Sequence, residues 1–177
     1  MIRHPVARPR IAVAVALAAL LAASAATAAD TTAKAGFASA ATAAQQWQKD
    51  AVLVNVSTLQ ADADGKAAKW GYMYYSPKSK RGYTVDVKGG KVVETLEVNP
   101  YVRDAVGEFV DSDKAMAEAR KSGLKIKGKT PMSLMMMGQA TKSPGVYWSV
   151  SGGIRKGDVS VLVDGKTGKF SYKQAMP

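Results

Sequence analysis

The sequence contains no cysteine, and its single histidine, His4, lies within the first ten residues. Those residues, MIRHPVARPR, are basic and precede the apolar run IAVAVALAALLAASA, a combination typical of a secretory signal peptide. We predict that residues 1–28 are the signal peptide and that cleavage follows the small residues Ala26, Thr27 and Ala28. The mature chain would then lack both cysteine and histidine. This inventory excludes disulfides, catalytic pairs that need histidine, and metal sites built on thiolate or imidazole.

The leader predicts a periplasmic or secreted protein that is soluble once the leader is removed. Its apolar run is shorter than the roughly 20 residues that a membrane-spanning helix needs. We therefore expect no transmembrane segment in the mature chain. No cysteine follows the run, so a lipid-modified cysteine cannot tether the protein.

Acidic residues are in the minority. Removing the leader arginines Arg3, Arg8 and Arg10 leaves 22 basic and 14 acidic residues, a net charge of +8. Such a balance favours contact with anionic surfaces such as lipid head groups, wall polymers, nucleic acid or acidic proteins, without selecting one of them.

Apolar periodicity predicts two helices and a series of antiparallel strands. The alanine-rich segment 31–48 has helical spacing, and DSDKAMAEARKSG has a capping residue at Asp111 or Ser112 and a stop at Gly123. The segment VLVNVS alternates, so we expect Val52, Val54 and Val56 to share one face of the first strand.

Two stretches of the chain have the same order of features. WGYMYYSPKSKRGYTVDVKGGKV begins at Trp70 and WSVSGGIRKGDVSVLVDGKTGKF begins at Trp148; each runs through alternating residues, a basic turn, more alternation and Gly-Lys. We therefore predict an α+β fold of two tandem repeats, each a helix packed on a small antiparallel sheet. The predicted repeats span 29–98 and 111–177, and a connector spans 99–110.

The second repeat resembles the PepSY-type module of exported bacterial proteins. The matching positions are Ser112, Asp113 and Ala115 at the helix start, followed by Val163, Asp164, Thr167, Gly168, Lys169 and Phe170 at the strand turn. The resemblance implies a non-catalytic, cystatin-like fold of the kind found in protease propeptides and in exported proteins that bind or inhibit partners. The residues themselves assign a structural turn to Asp164, Thr167 and Gly168, because the two side chains can bond the backbone of a tight turn.

A methionine cluster raises the question of copper(I). Met132, Met135, Met136 and Met137 carry thioethers, which are soft ligands, although methionine also fills protein cores. On a strand, Met135 and Met137 share a face and Met136 does not. We predict a core strand, and we predict neither a metal site nor a cofactor.

Two basic turns and two tyrosines are the candidate contact residues. Charged turns also keep sheet ends soluble and unpaired, so a binding role is one of two interpretations. The candidate partner-binding residues are Lys78, Lys80, Arg81, Arg155, Lys156, Tyr75 and Tyr147.

Taken together, these features predict a protein that is not an enzyme. The expected function is binding or inhibition of a periplasmic protein partner, with a protease as one candidate and nucleic acid not expected. Two alternatives stay open: a copper(I)-binding protein that uses its methionines, and a cationic binder of cell-wall or membrane anions.

Overall fold

The computed structural model describes residues 29–138, 143–153, 155 and 157–175. A 3-10 helix (Ala33–Gly36) leads into helix α1 (Phe37–Trp47), and helix α2 spans Ser112–Lys121. The strands are β1 (Val52–Ala61), β2 (Lys69–Ser76), β3 (Arg81–Lys88), β4 (Lys91–Val98), β5 (Thr130–Met137), β6 (Gly145–Ser151), β7 (Val159–Asp164) and β8 (Phe170–Ala175). None of the helices in these ranges reaches the length and hydrophobicity that a membrane span requires.

All eight strands form one antiparallel sheet in the order β4-β3-β2-β1-β5-β6-β7-β8. The junction is the antiparallel pairing of β1 with β5, in which Asn55 lies opposite Met135 and Ser57 opposite Ser133. The predicted fold of two tandem repeats, each a helix on its own small cystatin-like or PepSY-like sheet, is therefore wrong. The protein is mostly sheet, because pairing β1 with β5 removes the free edge that each smaller sheet would expose there.

Both helices cover the same face of the sheet. Ala40 and Ala44 of α1 and Met116 and Ala119 of α2 belong to one buried apolar cluster together with strand residues from Leu53 to Val163. Small alanines on the inner side of each helix allow close approach to the strands. A continuous core thus runs under both helices and stabilises a chain that contains no cysteine for disulfides.

The two buried tryptophans meet at the centre of this core. The rings of Trp70 and Trp148 pack edge to face, with 6.1 Å between centroids and 77° between planes. Trp70 Nε1 donates to the carbonyl of Thr31, and Trp148 Nε1 donates to the carbonyl of Val110, both at 2.8 Å. Each indole therefore holds the backbone that leads into a helix, while its ring fills the interior.

The first residue of α2 joins three segments of the chain. Ser112 Oγ donates to the carbonyl of Gly65 at 2.7 Å and accepts from the backbone N–H of Ala33 at 2.9 Å. Gly65 has φ +74°, and a side chain there would collide with the backbone of Ser112. This contact places the turn after β1 and the start of α2 against the 3-10 helix.

Strand β1 departs from the predicted alternation at a bulge between Leu53 and Asn55. Leu53 and Val56 face the helices, whereas Val54 packs on the other side with Met73 and Tyr75. The expectation that Val52, Val54 and Val56 share one face is therefore wrong, because a bulge inserts an extra residue and reverses the alternation. Asn55 Nδ2 donates to the carbonyl of Leu134 at 3.1 Å, which ties the bulge to β5.

Two buried tyrosines on β2 make a matched test of hydrogen bonding in the core. The hydroxyl of Tyr72 donates to the carbonyl of Ala33, whereas that of Tyr74 has no hydrogen-bond partner within the described residues. Burial raises the pKa of both phenols, so both are neutral donors at any ordinary pH.

We predict that Tyr72→Phe lowers the free energy of unfolding by about 1 kcal/mol, because it removes the buried hydrogen bond from the phenol to the Ala33 carbonyl. Tyr74→Phe should leave stability unchanged or raise it by about 1 kcal/mol, because it removes an unpaired buried hydroxyl. Urea unfolding of both variants beside the parent measures the difference. Equal losses for the two variants would contradict this assignment.

Candidate functional site

The face of the sheet opposite the helices carries a row of small side chains across its central strands. Register places Gly71 opposite Ser57, Ser57 opposite Ser133, and Ser133 opposite Ser149. Their strand neighbours point into the helix-covered core, so these four positions face the other way. We call this side the open face, since neither helix covers it.

Three shallow depressions meet along this row, and Ser57 lines all of them. Their volumes are about 350, 220 and 180 Å³. Leu59 stands beside two of the depressions with 78% of its side chain exposed, and Tyr101 of the connector lines the third with 67% exposed. The open face therefore has shallow depressions lined by small residues at its centre and two exposed apolar side chains at its margins.

Methionines border the row on the side of the β1 bulge. Asn55 lies opposite Met73 on β2 and opposite Met135 on β5, so the two thioether side chains flank it on the open face. Met132 is buried in the core, and Met136 packs against it from the helix-covered side. In the part of the chain that the structure describes, no group of three or more histidine, cysteine, aspartate or glutamate side chains could hold a metal ion.

The candidate tyrosines both lie on the open face and are almost fully buried. Tyr75 is 7% exposed and packs with Val54 and Met73, and the Arg103 guanidinium lies 6.0 Å from its ring centroid. Tyr147 is 6% exposed and donates from its hydroxyl to the carbonyl of Ser143 at 3.0 Å. Both tyrosines pack into the surface of the open face, and little of either ring is available to a partner.

The structure does not bring the two basic turns together. Lys78, Lys80 and Arg81 follow β2, whereas Arg155 follows β6, and these two strands run in opposite directions in the sheet. The turns therefore lie at opposite ends of the strands. Lys156 lies outside the described residues. Arg81 is engaged by Glu97 at 3.1 Å, which partly neutralises the first turn.

Asp50 organises the first basic turn. Its carboxylate accepts from the Ser76 hydroxyl at 2.9 Å and from the backbone N–H of Lys78 at 2.9 Å. Lys80 adopts φ +59° in this turn, a conformation that needs such support in a residue with a side chain. The hydrogen bond from the Lys78 amide lowers the pKa of the Asp50 carboxyl below its usual value.

The predicted structural turn is built around a second aspartate. Asp164 Oδ1 accepts from the amide of Thr167 at 2.7 Å and from its hydroxyl at 2.8 Å. Gly168 has φ +71°, and its N–H donates to the Asp164 carbonyl at 2.9 Å. Burial raises the pKa of Asp164, but the hydrogen bonds from Thr167 outweigh it, and the pKa is lowered.

Sequence reasoning missed the serine row and the exposed residues beside it. Serine alternates with apolar core residues in three strands, at Ser57, Ser133 and Ser149. This alternation was a signal in the sequence that one face of these strands carries small polar side chains. Their alignment across strands depends on register and could not be read from spacing. Tyr101 lies in the connector, where no periodicity marks it.

We predict that Asp50→Asn loosens the 77–80 turn at neutral pH, because the charged acceptor is lost. In the parent, a lowered carboxyl pKa means that the contribution to stability is complete above the unfolded-state pKa and disappears as pH falls through the folded-state pKa. Amide hydrogen exchange at Lys78 should therefore accelerate in the variant at pH 7. In the parent it should show an added loss of protection only below about pH 4.

The control is Asp104→Asn, which changes an exposed carboxylate of the connector. This variant should exchange at Lys78 like the parent. Unchanged protection of Lys78 in Asp50→Asn would contradict the role given to Asp50.

Comparison with known proteins identifies the fold and leaves the family open. No family model matches the chain, and no curated protein matches it. The structure is similar to the crystal structure of a protein described as a "putative lipoprotein" from Clostridium difficile 630, with a TM-score of 0.54. The match covers 75% of this chain and 87% of the other at 15% identity, so it concerns the fold alone. The resemblance to PepSY modules stays a prediction.

Proposed function

We propose that this chain is an exported, non-catalytic binding protein that holds a protein partner against the open face of its sheet. The observation that carries the proposal is the row of Gly71, Ser57, Ser133 and Ser149 across the four central strands. These residues are small enough for a partner's loop or strand to approach the sheet backbone. Export rests on the leader sequence, and a periplasmic location is the form of export that we propose.

The margins of the row favour a protein as the partner. Exposed apolar side chains beside a shallow depression are typical of protein interfaces. Leu59 and Tyr101 are such side chains here. Met73 and Met135 border the centre with flexible side chains that adapt to a partner surface. An exported protease is the first class of partner to test, since inhibition requires only that the open face cover part of the enzyme.

The two other functions give different results in solution. A cationic binder of wall or membrane anions should lose affinity steeply with added salt, because its contacts are screened charges. A copper(I) carrier should bind the ion through Met135 and Met137, and loss of binding in the double variant Met135→Leu, Met137→Leu would identify it. An interface centred on the open face should bind its partner without copper and should depend little on salt concentration.

We predict that Leu59→Glu and Ser133→Arg each abolish capture of a partner from periplasmic extract, because they place a charge and added bulk on the open face. Gln45→Arg on the exposed side of α1 is the matched control and should retain the partner. The measurement is affinity capture by the mature chain, followed by titration of the retained protein at about 0.15 and 0.5 M salt.

Leu59 is highly exposed, so its replacement leaves the core intact, and thermal unfolding of each variant verifies this. A partner retained equally by all three variants would contradict the proposal. So would capture that disappears at the higher salt concentration for the parent itself.

A further inference from the structure

Strand β4 forms one edge of the sheet and is exposed along its length. All of its residues from Lys91 to Glu97 are exposed, including Val93 at 54% and Leu96 at 58%. In the sheet order β4 pairs with β3 on one side and ends the sheet on the other. An edge strand of this length presents backbone N–H and C=O groups that a further strand can pair with.

A groove runs beside this edge on the helix-covered side. It has a volume of about 740 Å³ and lies between α1 and β4, with Thr42, Gln46 and Trp47 on the helix and Tyr83, Val92 and Thr95 on the strands. Its walls are thus mostly uncharged, with both polar and apolar side chains. The groove lies beside the same edge, where no other strand of the described residues pairs with β4.

A stacked aromatic pair lines this groove. The rings of Trp47 and Tyr83 are parallel within 7°, with 4.8 Å between centroids. Trp47 Nε1 donates to Glu97 Oε1 at 2.7 Å, and Arg81 holds the other oxygen of that carboxylate at 3.1 Å. These contacts fix the indole before any ligand binds, which lowers the entropy lost on binding.

The charge of β4 differs from that of the whole chain. The strand carries Glu94 and Glu97 against one lysine, in a mature protein of net charge +8. Glu97 is occupied by Trp47 and Arg81, whereas Glu94 lies opposite Asp86 on the open-face side and forms no ion pair of its own within the described residues. Lys69 pairs with Asp86 and also attracts the Glu94 carboxylate without bonding to it. A cationic side chain on an added strand would find an acceptor at Glu94.

We propose that β4 binds an extended segment of a partner protein as an added ninth strand. Backbone groups of the segment pair with the free edge, alternate side chains enter the groove beside α1, and a lysine or arginine on the other side meets Glu94. A second copy of this chain is the alternative occupant. In antiparallel self-pairing centred on Thr95 or Leu96, Glu94 would face Leu96 or Val98 and gain no cation, whereas pairing centred between Val92 and Val93 would place it opposite Lys91, so the experiment below includes a test for self-association.

The probe is an octapeptide of alternating valine and lysine with blocked ends, added to the mature chain. We expect it to slow hydrogen exchange of the amides between Lys91 and Val98, because an added strand accepts their hydrogen bonds. A second peptide with proline at its centre keeps the charge but interrupts the pairing. It should give little protection.

Two pairs of variants measure separately how the charge of Glu94 and the groove contribute to binding of the probe. Glu94→Lys should weaken binding of the probe at least about tenfold, whereas Glu108→Lys on the exposed connector should not. Thr42→Trp fills the groove and should weaken binding, while Gln45→Trp, on the same helix outside the groove, should leave it unchanged.

Protection of β4 by both peptides alike, or by neither, would overturn the proposal. Protection that rises with protein concentration in the absence of peptide would assign the edge to a second copy and overturn it equally. Leu59→Glu should bind the probe like the parent, so a failure at this edge is distinguishable from a failure of the open face.

Discussion

The antiparallel pairing of β1 with β5 is the contact on which the rest of the structure depends. It makes one sheet out of strands that precede and follow the connector, and it brings the two buried indoles within contact distance. The Asn55 amide reinforces this pairing by donating to the Leu134 carbonyl across the junction. Without it, α1 and α2 would each cover a separate, smaller sheet, and the serine row would be divided between them.

The same pairing gives the two faces of the sheet their different chemistry. Leu134 and Trp148 point toward the helices, and their neighbours Ser133 and Ser149 point away. When every second residue of a strand points into the core, the intervening residues point to the opposite face and need not be large or apolar. In this protein the intervening positions at the centre are small, and the exposed large apolar side chains lie away from the centre, at Leu59, Tyr101 and positions of β4, β7 and β8.

Local sequence signals predicted the elements better than their arrangement. The cap at Asp111, the stop near Gly123 and the spacing of the alanines located both helices, because helix ends depend on neighbouring residues. The β1 bulge was missed, since VLVNVS alternates in sequence while the backbone does not. The grouping into two small sheets was wrong because pairing between β1 and β5 joins residues about eighty positions apart, and no local pattern encodes it. Trp47 was predicted as part of a helix, but its stacking on Tyr83 at the groove depends on the same long-range arrangement.

The separation along the chain between the two central strands has a kinetic consequence. The entropy cost of closing so long a loop is incurred before the hydrogen bonds between β1 and β5 can form. Folding is therefore expected to be slow for a chain of this size. Until β5 arrives, the edge of β1 that does not pair with β2 exposes VLVNVST, a segment rich in β-branched residues and prone to wrong association. Newly made chains would therefore remain unfolded for longer than those of a helical protein of the same size.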